Sequence, residues 1–100
     1  MNIYRQGDVL LIEVEPVQGE EVKRDAGRVI LAYGEQTGHA HAIREKSVKL
    51  VEWDGVRYVS SDQPFTIVHE EHAPVAMPAG TFKVIHQREY TPEEIRRVID

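Results

Sequence analysis

Apolar and polar residues alternate with a period of two along most of the chain, whereas a helix would repeat them about every 3.6 residues. In the segment 8–14, Leu10 and Ile12 share one face of an extended chain, while Val9 and Leu11 lie on the other. Apolar residues on both faces are typical of a strand that is covered from two sides. The pattern therefore predicts a strand that is buried near its middle.

Asp54-Gly55 marks a β-hairpin, because both central residues of a type I′ turn need a positive φ. The register that this turn sets brings apolar residues together across the two strands and places a glutamate opposite an arginine. The expected pairs are Trp53–Val56, Glu52–Arg57, Val51–Tyr58 and Leu50–Val59. We interpret Trp53, Tyr58 and Phe65 as core residues rather than as a platform for stacking nucleobases, since basic residues do not interleave with them.

Further strands are predicted at 28–33, 65–69 and 81–90, and a charged surface loop at 20–25. Together with the first strand and the hairpin, this makes about six strands in a chain of 100 residues, a length that fits one domain spanning residues 1–100. The expected fold is mostly β, a small antiparallel β-barrel or sandwich.

A short C-terminal helix is expected to follow the last strand. Thr91 is a suitable N-cap and Pro92 a suitable first helical residue. Ile95, Val98 and Ile99 would form an apolar stripe along one side of this helix. A helix of about two turns persists only if it packs on the rest of the domain, so we expect the stripe to dock.

The amino-acid composition argues against several classes of function. The chain is 41% hydrophobic and 29% charged, and it has no cysteine, which excludes disulfides and thiolate metal sites. Its net charge of −5 and scattered Lys and Arg residues do not indicate a nucleic-acid partner. The N-terminal segment does not resemble a signal peptide, and no apolar run is long enough for a membrane span. We expect a soluble, cytoplasmic protein.

The five histidines are the main candidates for chemistry, and they fall into three groups. His39 and His41 form a His-x-His pair, and on a strand two side chains at this spacing point to the same face and can reach one ion. Glu45 follows closely and offers a carboxylate. The other groups are His69-Glu70-Glu71-His72 and the single His86.

These residues predict a metal site with His39, His41 and His86 as ligands, and with Glu45, His69 and His72 as candidates for a further position. Three imidazoles and a carboxylate favour Zn, Mn, Fe or Ni over Ca or Mg. Each group also has a structural interpretation. The His-x-His pair could lie on a solvated loop, His86 could be a core histidine satisfied by a hydrogen bond, and residues 69–72 could form a solvated corner.

The segment Gly34-x4-His39-x-His41-x3-Glu45 resembles the first motif of the cupins, and Pro78-Ala79-Gly80 followed by His86 resembles their second. This resemblance implies a small β-barrel that holds a metal through two histidines of the first motif, its glutamate and a later histidine.

Two other resemblances do not imply a chemical activity. Thr37-Gly38-His39-x-His41, the block 71–80 and the ending 87–90 are similar to a group of small bacterial and phage proteins of unassigned activity. Met1-Asn2-Ile3 and the Asp8-Val9 strand start are similar to the co-chaperonins, which implies an assembly role rather than catalysis.

The sequence leaves catalytic residues unassigned, since its three serines lie outside a Gly-x-Ser-x-Gly motif and no phosphate-binding loop is present. Three hypotheses follow. The first is a metal-binding β domain, enzymatic or not. The second is a non-enzymatic assembly or adaptor domain that forms a homo-oligomer or pairs with another protein through a strand edge. The third is a pH-responsive element, because five histidines could titrate between about pH 5 and 8.

Overall fold

Ten short strands, one α-helix and a 3-10 turn make up the described part of the computed structural model. That part covers residues 2–34, 36–89 and 92–99, without the side chains of residues 89, 95, 98 and 99. The strands are β1 Ile3–Gln6, β2 Val9–Val14, β3 Glu20–Glu21, β4 Val29–Tyr33, β5 Ala40–Ile43, β6 Lys49–Trp53, β7 Val56–Ser61, β8 Phe65–Val68, β9 Val75–Met77 and β10 Gly80–His86. The 3-10 turn is Gln87–Glu89 and helix α1 is Pro92–Ile99.

The strands form two antiparallel sheets. The first sheet has the order β1-β2-β10-β7-β6-β3 and the second has the order β4-β5-β8-β9. Both contribute to one hydrophobic core, in which Leu11 and Phe82 of the first sheet join Leu31, Ile43 and Ile67 of the second. The mostly β fold is therefore confirmed, but within the described residues the two sheets do not close into a barrel.

Strand β2, an interior strand of the first sheet, is buried on both faces as its pattern predicts. Val9, Leu10, Leu11 and Ile12 are each at most 2% exposed. This strand pairs with β1 on one side and with β10 on the other, so its backbone hydrogen bonds are satisfied from both directions.

The described residues form ten strands where about six were expected, and β1, β3, β5 and β9 account for the difference. These four strands are only two to four residues long. Such short segments show too little alternation to be recognised from the sequence, and they form because a longer neighbour offers an edge. β3 lies in the segment expected to be a loop, and β10 ends at His86, before the predicted end of its strand.

The β6–β7 hairpin has the predicted register at all four pairs. Asp54 and Gly55 both have positive φ, 53° and 75°, as a type I′ turn requires. Tyr58 and Phe65 are buried as expected, but Trp53 is 54% exposed, so its assignment to the core was wrong. Trp53 is the last residue before the turn, and it lies on the opposite face from buried Leu50.

Helix α1 begins at Pro92, in agreement with the predicted C-terminal helix. The proposed cap Thr91 lies outside the described residues, as do the side chains of Ile95, Val98 and Ile99. Among the described residues, no helix is long and apolar enough to cross a membrane.

The turn between β1 and β2, Gly7-Asp8, joins two strands of the first sheet and lies against the second sheet, and it so positions the candidate site. Gln6, which is 2% exposed, donates from Nε2 to the carbonyl oxygens of Ile67 and Ala73, both at 3.0 Å. These bonds hold the β1–β2 turn against the end of β8 and the segment that leads to β9. His41 in β5 and the residues 69–72 therefore meet this turn.

Candidate metal site

Four of the five histidines line one cavity of about 410 Å³ between the β1–β2 turn and the second sheet. His39 directly precedes β5 and His41 is its second residue, whereas His69 and His72 come from the segment between β8 and β9. The lining residues are Gly7, Asp8, Tyr33, Gly34, Gln36, His39, His41, His69, Glu71, His72 and Arg88. The fold thus brings together two histidine groups that are distant in the sequence.

The four imidazole rings lie close to one another. The centroid of His41 is 4.4 Å from that of His69 and 5.7 Å from that of His72. The His69 ring is 4.7 Å from His72 and 5.8 Å from His39. The fold therefore brings the four rings into one cluster, in which His41 is buried and His72 is exposed.

Asp8 lies at the base of this cluster, a position that sequence reasoning missed. Its Oδ1 is 3.4 Å from Nε2 of His41, and its Oδ2 is 2.9 Å from both Nε2 of His86 and Nε of Arg88. Burial alone would raise the pKa of Asp8, but the hydrogen bond from His86 and the charges of His86 and Arg88 outweigh it and lower the pKa. The carboxylate is therefore ionised, and His86 and Arg88 fix its orientation.

The environment of His41 determines which ring nitrogen carries the proton. Nδ1 of His41 is 2.9 Å from Oε1 of Gln6, whose Nε2 donates to two backbone carbonyl groups. Turning the Gln6 amide over would set its oxygen against both carbonyl oxygens, so Oε1 must face His41 and accept a hydrogen bond from its Nδ1–H. The neutral ring of His41 is thus protonated at Nδ1 and presents a lone pair at Nε2.

His41 is also neutral at physiological pH. Its pKa is lowered to about 4, first because burial disfavours the charged ring and then through the electrostatic effect of the neighbouring His69. The negative charge of Asp8 opposes this shift without reversing it. The Nε2 lone pair of His41 and the Oδ1 atom of Asp8 are consequently two acceptors that face each other at 3.4 Å.

A distance of 3.4 Å is typical of two ligand atoms that bind the same metal ion. Two atoms that bind a tetrahedral ion at about 2.1 Å each are separated by about 3.4 Å. Metal-binding histidines in proteins usually donate their other ring N–H to an oxygen, which sets the tautomer, and Gln6 has this relationship to His41. His41 and Asp8 thus have both the spacing and the protonation that a metal ion requires.

A second group is close enough to share an ion. Ligand atoms of His39, His69 and Glu70 all lie within 4.8 Å of one another. Oε1 of Glu70 accepts the backbone N–H of Ala40 at 2.8 Å, and this bond lowers the pKa of Glu70. The short distances therefore make this group a second candidate for metal binding. Nδ1 of His69 is not available as a ligand atom, however, because it already accepts the backbone N–H of Glu71 at 3.0 Å.

Residues 5–87 match the model of a protein family described as a domain of unknown function, DUF8820. The chain belongs to this family. The matched part of the DUF8820 domain contains Asp8 and all five histidines, so the whole cluster lies inside it. No curated protein and no solved structure matches the chain.

Two residues that the sequence placed among the ligands of the DUF8820 domain have other contacts in the structure. Oε2 of Glu45 accepts the backbone N–H of Thr66 at 2.9 Å, and Glu45 is not among the described residues that line the cavity. His86 points Nε2 at Asp8, and because that carboxylate is ionised, His86 must be the donor. His86 is thus placed to orient Asp8.

Proposed function

We propose that the DUF8820 domain binds a divalent transition-metal ion, with Nε2 of His41 and Oδ1 of Asp8 as its fixed ligands. The observation that carries this proposal is the 3.4 Å separation of these two acceptors, one of which is 3% exposed. Two acceptors at this distance repel each other, and a cation between them converts the repulsion into attraction. The surrounding hydrogen bonds hold both groups in that arrangement.

His72 is the best-placed further ligand. Its ring centroid is 5.7 Å from that of His41, and its Nε2 lies against the backbone of Gly7, next to Asp8. His39 lines the same cavity and could fill another position. Such a set of imidazoles with one carboxylate favours Zn, Mn, Fe or Ni, because Ca and Mg prefer sites built from oxygen ligands alone.

The surrounding residues support the proposed ligands. Gln6 holds the tautomer of His41, while His86 and Arg88 bind the second oxygen of Asp8 and leave Oδ1 directed at His41. Ligating groups in metalloproteins are commonly oriented in this way by a second layer of hydrogen bonds. The layer here is contributed by β1, β10 and the turn that follows β10.

The test is metal binding by the protein expressed without a histidine tag and stripped with a chelator. We expect titration calorimetry to give about one equivalent of Zn²⁺ or Ni²⁺ per chain, and Asp8→Asn to weaken the affinity at least about tenfold. Asp62→Asn is the matched control, because Asp62 is an exposed aspartate outside the cavity lining. The control should bind as the wild type does.

Thermal denaturation provides an independent readout. A ligand present at about 100 times its dissociation constant stabilises the native state by about 2.7 kcal/mol. The melting temperature should therefore rise with added Zn²⁺ or Ni²⁺ in the wild type and rise less in Asp8→Asn. Binding below about a tenth of an equivalent, with no rise for any of the four metals, would remove the proposal.

A further inference from the structure

His69 is held in the tautomer opposite to that of His41. Its Nδ1 accepts the backbone N–H of Glu71 at 3.0 Å and lies 3.4 Å from that of His72. A nitrogen that accepts a hydrogen bond carries no proton, so the proton of the neutral His69 ring must be on Nε2. The polar atom that His69 can offer to a ligand is therefore an N–H donor.

This difference separates the roles of two neighbouring rings. The centroids of His41 and His69 are 4.4 Å apart, and both rings line the same cavity. His41 presents a lone pair, which binds cations, whereas His69 presents a proton, which binds an oxygen atom. His69 can thus donate a hydrogen bond to an oxygen atom of a ligand that is itself bound to the metal ion.

Arg88 adds a second donor to the cavity lining. Its guanidinium group has N–H donors and no acceptor, Nε lies 2.9 Å from Asp8, and its side chain is 49% exposed. Arginine and a metal ion on one side of a cavity are a common means of binding carboxylate and phosphate groups. The volume of about 410 Å³ is in the lower part of the range for small-molecule sites.

We propose that the cavity binds a small oxyanion, one oxygen of which coordinates the ion while others accept hydrogen bonds from His69 Nε2–H and Arg88. The proposal rests on the metal site proposed above. The expected ligands of the cavity carry a phosphate or a carboxylate group. Glu71 also lines the cavity, with its carboxylate 3.5 Å from Nδ1 of His39, and its negative charge opposes the anion.

The tautomers can be observed directly by ¹⁵N NMR of histidine-labelled protein, without any ligand. We expect the metal-free protein to show His41 protonated at Nδ1 and His69 protonated at Nε2. On addition of Zn²⁺, Nε2 of His41 should take the shift of a zinc-bound nitrogen, whereas His69 should keep its proton. A zinc-bound nitrogen in His69, or a proton on its Nδ1, would overturn the inference.

Anion binding is tested by titrating inorganic phosphate, and separately acetate, into the zinc-loaded protein. His69→Asn is the informative variant, because the Asn oxygen can still accept the N–H of Glu71 while the Nε2–H donor is lost. We expect this variant to bind Zn²⁺ as the wild type does and to bind phosphate about tenfold more weakly. Arg88→Lys should also weaken phosphate binding, and Glu71→Gln should strengthen it by about two- to threefold.

The controls separate this inference from the proposed function. Arg44→Lys, at an exposed position outside the described cavity lining, should leave phosphate binding unchanged. If the protein binds no metal, the proposed function is wrong. If it binds Zn²⁺ but neither anion, or if His69→Asn binds phosphate with wild-type affinity, only the oxyanion inference is overturned.

Discussion

The backbone of Gly7 lies directly against the imidazole of His72: a Cβ atom on Gly7 would be 2.7 Å from Nε2 of that ring. Because Gly7 also has a φ of +58°, an alanine there would strain the backbone and displace the ring. We expect Gly7→Ala to lower the free energy of unfolding by about 1 kcal/mol or more and to weaken Zn²⁺ binding severalfold. Chemical denaturation and calorimetry measure the two effects.

Gly27→Ala is the matched control for this experiment. Gly27 has a φ of +78°, but a Cβ atom there would meet nothing within 4 Å. The control should therefore lose about 1 kcal/mol of stability from backbone strain alone and keep the Zn²⁺ affinity of the wild type. Equal Zn²⁺ affinities in the two variants would show that His72 is not a ligand.

Gln6 connects the two sheets through three hydrogen bonds, and its removal should be costly. In Gln6→Leu the N–H of His41 and the carbonyl group of Ile67 lose their partner in a buried environment, and the carbonyl group of Ala73 loses its partner in a partly buried one. We expect a loss of about 3 kcal/mol in the free energy of unfolding, measured with urea in the presence of a chelator. Gln63→Leu, at an exposed position, should change stability by less than about 0.5 kcal/mol.

A Gln6→Leu variant as stable as the wild type would contradict the assignment of the His41 tautomer. The side chain would then not be needed to satisfy these three groups. The metal site would lose its main structural support, even if binding itself remained.

Glu70→Gln decides between the two groups of potential ligands. Its amide oxygen can still accept the N–H of Ala40, so the start of β5 should be undisturbed while one negative charge is lost. With the ion at His41 and Asp8, we expect Zn²⁺ affinity to fall by less than about threefold, the effect of a nearby charge. A loss of tenfold or more relative to the control Glu15→Gln would instead locate the ion at His39, His69 and Glu70.

The parts of the fold that were predictable from the sequence depend on local chemistry. The apolar run in β2 and the Asp54-Gly55 turn each specify their own structure, and both were confirmed. The exposure of Trp53 was not predicted, although Trp53 is the last residue before the turn and lies on the opposite face from buried Leu50. β5, which carries His41, is short and becomes a strand through its pairing with β4 and β8.

The candidate site, like the fold, was predictable only where local sequence determines it. Histidine content indicated the chemistry, and the cavity does bring His39 and His41 together with His69 and His72. Asp8 carries no such signal, since an aspartate before a strand is common in turns. Its meeting with His41 depends on how the two sheets approach each other, which residue spacing does not encode.

Glu45 provides a test of the motif-based ligand set, because its carboxylate holds a backbone group in the structure. Oε2 of Glu45 accepts the N–H of Thr66, and the amide oxygen of a glutamine could do the same. Glu45→Gln should therefore change the free energy of unfolding by less than about 0.5 kcal/mol, and Glu45→Ala should lower it by about 1–2 kcal/mol. Neither variant should alter Zn²⁺ affinity in calorimetry. A tenfold loss in Glu45→Gln, with stability unchanged, would mean that the ion is bound as the His39-x-His41-x3-Glu45 motif implies and that Asp8 is not its carboxylate ligand.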